Sequence, residues 1–80
     1  MAEQQDRRTV VHVDVVEPGH ALITGGGHSG HVSREGDKRY RVEDVDSETY
    51  IGHARSYSNA GHRFAKWHGL TDYRVSVDIE

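Results

Sequence analysis

The segment SYSNAGHRFAKWHG, residues 56–69, decides the fold because it is the clearest amphipathic helix in the chain. At about 100° per residue, one broad side of this helix carries Tyr57, Ala60, Phe64, Ala65, Trp67 and His68. The other side carries Ser58, Asn59, His62, Arg63 and Lys66. Ser56 or Ser58 can cap the first turn, and Gly69 stands where a helix end favours a left-handed residue. The sequence therefore predicts a helix over about residues 57–68, with one side packed.

Alternating segments on both sides of this helix predict β-strands. Residues 9–16 place Val11, Val13 and Val15 on one face of a strand and polar side chains on the other. Residues 72–80 alternate in the same way after the helix. Shorter strands are predicted at residues 20–24, 38–45 and 48–54, with the turn signal Glu17-Pro18-Gly19-His20 after the first strand.

These elements predict a small α+β domain with the order β-β-loop-β-β-α-β. Its sheet has four to five strands, is antiparallel or mixed, and carries the helix packed on one face. The glycine-rich run at residues 25–30 and the charged residues after it form the predicted loop. Residues 1–8 lack periodicity and are expected to be a flexible leader, and residues 9–80 are expected to be a single domain.

Composition limits the protein class. The chain has 80 residues, 34% of them hydrophobic, and no cysteine, which excludes disulfides, cysteine-ligated zinc and thiol catalysis. A core of this size has little stability in reserve. No apolar stretch is long enough to cross a membrane, so we expect no membrane partner and a cytoplasmic location.

The seven histidines raise the question of a metal site. His28 and His31, in the glycine-rich segment, are the local pair whose imidazoles could reach one ion, but two ligands do not make a site. The spacing Gly25-x-Gly27-x-x-Gly30 imitates a dinucleotide loop without the helix that should follow it. We therefore expect no cofactor. His28 and His31 are the metal candidates, and a site would need further ligands from His20, His53, His62, His68 or nearby acids.

Catalytic motifs are absent from the sequence. Asp44-x-Asp46-x-Glu48 resembles the start of a calcium loop, but Thr49 and Arg55 occupy positions that should hold Gly and Glu. No nucleophile elbow, His-Glu-x-x-His helix or phosphate loop is present. The expectation is a protein without enzymatic activity.

Charge is unevenly distributed along the chain, whose net charge is −3. Residues 43–48 contain four acids, whereas residues 49–71 contain none and carry Arg55, Arg63 and Lys66. The predicted partner-binding residues are His62, Arg63 and Lys66 on the helix, with Arg39 and Arg41 on a strand.

The leading functional hypothesis is a small adaptor or inhibitor that binds another protein through its helix and sheet surfaces. Self-association as a homodimer could bury the apolar surface that one small chain cannot bury alone. Phage-encoded inhibitors such as anti-CRISPR proteins exemplify this class, although no motif here points to them. One alternative is a nucleic-acid-binding module that uses the basic helix face. A second alternative is a histidine-based metal-binding protein.

Overall fold

A computed structural model describes residues 8–79, and its architecture confirms the α+β class. One helix packs against one face of a six-stranded mixed sheet. The predicted leader at residues 1–8 lies almost wholly outside the described residues. In chain order the elements are β1 (Thr9–Glu17), β2 (His20–Gly25), β3 (His28–Gly36), β4 (Arg39–Asp44), β5 (Thr49–Ala54), α1 (Tyr57–Trp67) and β6 (Tyr73–Ile79).

The strands follow a simple order across the sheet, β5-β4-β3-β2-β1-β6. β1 to β5 form an antiparallel meander, and α1 then carries the chain back across the sheet to β6. β6 pairs in parallel with β1, from Thr9 opposite Tyr73 to Val15 opposite Ile79. α1 covers one face, and we call the other face the open face.

The structure differs from the predicted loop, because the glycine-rich run and the charged residues after it lie mostly in strand β3. Only Gly26 and Gly27 form the turn, both with positive φ, and Gly25 pairs directly with His28. Two residues with positive φ match the right-handed twist of a tight hairpin. The sheet therefore has six strands rather than four or five, and the loop in the predicted order is a two-residue turn followed by a strand.

The core forms where small residues let α1 approach the sheet closely. Val11, Val13 and Val15 are buried beneath the helix as predicted. A Cβ atom added at Gly30 would lie 2.7 Å from the Phe64 ring, and one added at Gly61 would lie 2.7 Å from Val75 Cγ1. Phe64 therefore fills the space above Gly30. The absence of a side chain at Gly61 lets α1 pack closely against Val75 of β6.

Both ends of α1 are capped as the sequence predicts. Ser56 is the N-cap, and its side chain accepts a hydrogen bond from the backbone N–H of Asn59. At the other end, the N–H of Leu70 donates to the carbonyl of Ala65, and Gly69 adopts a φ of +75°. This pattern is a Schellman motif, which ends the helix after Trp67.

One side chain of the predicted packed side is not packed. Trp67 is 44% exposed, because it lies at the margin of the helix surface that faces the sheet.

The single helix found in residues 8–79 is too short and too polar to cross a membrane.

A buried polar cluster joins the end of α1 to the end of β4. The Asp44 side chain is 3% exposed and accepts from His68 Nε2 at 2.8 Å. Its second oxygen accepts from the Ser47 hydroxyl at 2.6 Å and the Ser47 backbone N–H at 2.9 Å. The bond from the Ser47 side chain lowers the pKa of Asp44; the backbone N–H and His68 add to this effect, and burial opposes it.

We expect Gly30→Ala to destabilise the fold by about 1–3 kcal/mol, because Phe64 has to move to admit the methyl group. Thermal unfolding followed by circular dichroism measures this loss. Gly36→Ala is the matched control, since a Cβ atom there meets nothing within 4 Å. Equal melting temperatures for the two variants would contradict the close approach of Phe64 to Gly30.

We expect Ser47→Ala to lower the free energy of unfolding at neutral pH by about 1–2 kcal/mol, because a buried carboxylate loses a hydroxyl donor. The lowered pKa means that this stabilisation is present above the unfolded pKa of Asp44, near 4, and is lost as the pH falls below it.

Urea unfolding at a series of pH values measures the difference between wild type and Ser47→Ala. The difference should be largest above about pH 4 and shrink in more acidic solution. Ser58→Ala serves as the control because Ser58 is exposed on α1. A difference that does not change with pH would show that Ser47 does not act through the Asp44 carboxylate.

Candidate functional site

A basic cleft lies between α1 and the edge strand β5. Its volume is about 370 Å³. One wall is the end of β5 together with Arg55, the residue that follows it. The other wall is the outer ridge of the helix. It is lined by His53, Ala54, Arg55, Asn59, His62, Arg63 and Lys66.

The local structure explains why these side chains meet. Ser56 caps α1 immediately after Arg55, so the chain turns from β5 into the helix within two residues. Asn59, Arg63 and Lys66 follow at spacings of four and three, which places them along one ridge. Arg63 lies over β5, with its Nη1 atom 3.4 Å from the position that a Cβ atom would take at Gly52.

The cleft concentrates positive charge that no acid in residues 8–79 pairs with. Arg55, Arg63 and Lys66 are exposed, and none forms an ion pair with another residue in the range 8–79. The described residues that line the cleft include no acid, and the first turn of α1 has none. Like charges this close on a helix repel one another, so an anionic group in the cleft would relieve an unfavourable interaction.

The imidazole of His53 lies on the open face behind the cleft, on the same side of the sheet as Arg41, its cross-strand partner. Its Nε2 donates to Glu35 Oε1 at 2.7 Å, which leaves Nδ1 of the neutral ring to accept from the Tyr50 hydroxyl. The hydrogen bond from His53 is the main cause that lowers the pKa of Glu35. Both nitrogens of His53 therefore have partners on the protein.

The structure divides the five predicted partner-binding residues between two surfaces. His62, Arg63 and Lys66 line the cleft. Arg41 lies on the open face, stacked over the Tyr50 ring and paired with Glu43 at 3.1 Å. Arg39 pairs with Glu35 at 3.4 Å. The two strand arginines are neutralised by acids, so they do not belong to the basic cleft.

The two predicted metal candidates are separated by the sheet. His28 and His31 are three apart on β3, so their side chains point to opposite faces. His28 stacks on His68 at 3.7 Å between ring centroids, while His31 contacts His20 on the open face. The pair cannot hold one ion, and residues 8–79 contain no group of three side chains arranged to bind a metal. A flexible loop would let the two imidazoles converge on one ion, as the sequence suggested. In a strand they point to opposite faces and cannot do so.

Sequence reasoning left Arg55, Asn59 and His53 out of the site. For Arg55 the signal was available, because it is one of the three cations in the acid-free run at residues 49–71. Asn59 is on the polar side of the predicted helix. The position of His53 follows from the pairing of β4 with β5, which no local pattern determines.

Searches against protein-family models, curated proteins and solved structures find no match to this chain.

Proposed function

We propose that this protein is a non-enzymatic adaptor or inhibitor that binds an acidic segment of a partner protein in the basic cleft. The supporting observation is the set of three cations, Arg55, Arg63 and Lys66, which lack acidic partners in residues 8–79 while most other arginines have them. In a chain of net charge −3, unpaired cations concentrated in a single concave surface favour a local anionic partner.

A protein segment suits this cleft better than a nucleic acid. The residues that line it include no Phe, Tyr or Trp on which bases could stack. Three cations are a small footprint for a phosphate backbone, and the acids of the open face oppose a wrapped polyanion. Glu or Asp side chains on a partner loop would place single carboxylates beside Arg63 and Lys66, where Asn59 could add a hydrogen bond.

The test uses a glutamate-rich peptide as the probe, with binding measured by fluorescence anisotropy and mapped by amide chemical shifts. We expect shifts centred on Arg55, Arg63 and Lys66, and affinity that falls as salt is added. Arg63→Glu combined with Lys66→Glu should weaken binding by roughly tenfold or more, since two attractive charges become repulsive.

The matched control is Arg39→Glu combined with Arg41→Glu, which reverses the same number of charges outside the cleft. It should leave peptide affinity within about twofold of wild type, because each arginine already pairs with an acid. Circular dichroism checks that both double variants are folded. If both double variants weaken binding equally, then net charge alone drives the binding, and the assignment to the cleft is overturned.

A single-stranded oligonucleotide serves as the second probe under the same conditions. Tighter binding of the oligonucleotide, lost on Arg63→Glu with Lys66→Glu, would replace the proposed function with nucleic-acid binding. Failure of the cleft to bind either probe at low salt would reject both functions.

A further inference from the structure

We infer that the outer edge of β6 pairs with β6 of a second copy of this chain, in antiparallel orientation about a two-fold axis at Ser76. The resulting dimer would have one continuous sheet with both helices on the same side. This inference is independent of the proposed function, since it uses the opposite edge of the sheet from the basic cleft.

Among the described residues, the backbone of β6 presents a regular, unpaired edge. β6 pairs with β1 over seven residues without a bulge, and no strand within residues 8–79 pairs with its other side. The backbone N–H of Thr9 donates to the carbonyl of Asp72, so alternate residues from 72 onward face β1. Tyr73, Val75, Val77 and Ile79 therefore direct their backbone groups to the outside.

The side chains of β6 are complementary to themselves in one antiparallel register. When Ser76 lies opposite Ser76 of the second copy, Val75 faces Val77 and Tyr73 faces Ile79. These are the residues whose backbone groups point outward, so each such pair can exchange two hydrogen bonds. On the open face, the same register sets Arg74 opposite Asp78, twice by symmetry.

Exposed apolar area on β6 supports the same partner. α1 covers the first half of the strand but leaves Val77 36% exposed and Ile79 75% exposed on the helix side of the sheet. Antiparallel pairing would bring Tyr73 and Val75 of the second copy against these two side chains and remove apolar surface from water.

The two edges of the sheet differ in how they are protected. β5 carries a register shift against β4 between Val42 and Glu43, and bulges of this kind twist an edge away from further pairing. β6 has no bulge against β1, no proline and no lysine, which are common devices against edge association. Self-pairing is thus favoured at β6.

Cysteine crosslinking tests the register directly, because the native chain contains no cysteine. Ser76→Cys would place two thiols across a non-hydrogen-bonded pair, where Cα atoms are about 4.5 Å apart and a disulfide can form. Under mild oxidation we expect this variant to become a covalent dimer. Ser33→Cys, on the open face over β3, is the control and should stay monomeric on a denaturing gel.

Charge exchange tests the pairing of Arg74 with Asp78. Arg74→Asp or Asp78→Arg alone sets like charges opposite each other at both symmetric positions, and each should weaken the dimer by roughly tenfold or more. An equimolar mixture of the two variants should form a heterodimer, because every cross-strand pair is then opposite in charge. Native mass spectrometry distinguishes the heterodimer from both homodimers.

Lys38→Asp and Asp37→Arg repeat these charge changes in the β3–β4 turn and should dimerise like the wild type. A wild type that is monomeric by sedimentation at all concentrations would overturn the inference. Equal crosslinking of the Ser76→Cys and Ser33→Cys variants, or a mixture that forms no heterodimer, would also overturn it. Failure of the acidic peptide to bind would leave these outcomes unchanged.

Discussion

The packing of the Phe64 ring into the space above Gly30 is the contact on which the rest of the structure depends. The ring occupies the place that a side chain would take on β3, so α1 lies directly on the middle of the sheet. Once α1 is seated there, Gly61 meets Val75 and His68 meets Asp44. A chain with few large apolar residues builds a continuous core in this way, because one aromatic side chain serves both layers.

The position of α1 also determines which charges are compensated. On the open face, Arg41 pairs with Glu43 two residues along the same strand, and the pairing of β3 with β4 brings Arg39 beside Glu35. On the outer ridge of α1, the neighbouring strand β5 contains no acid, and neither do residues 68–71 after the helix. The contrast between neutralised sheet arginines and uncompensated cleft cations therefore arises from topology as well as from sequence.

Local patterns predicted the helix, its caps and the inward face of β1, because each depends on residues close together in the chain. The strand β3 was missed, since His28 to Val32 shows little hydrophobic alternation and Gly30 is made compatible with the core only by Phe64, 34 positions later. For the same reason the sequence could identify the cations of the site but not which of them share a surface. Arg39 acquires Glu35 through strand pairing and a bulge, whereas Arg41 pairs with Glu43 two residues later on the same strand.

The parallel pairing of β1 with β6 has a consequence for the order of folding. β1 to β5 can pair through short turns, so each hairpin closes a small loop at low entropic cost. β6 must find β1 across more than sixty residues of chain, from Thr9 to Tyr73, and only after α1 has crossed the sheet. The meander and helix therefore form a platform on which the last strand docks.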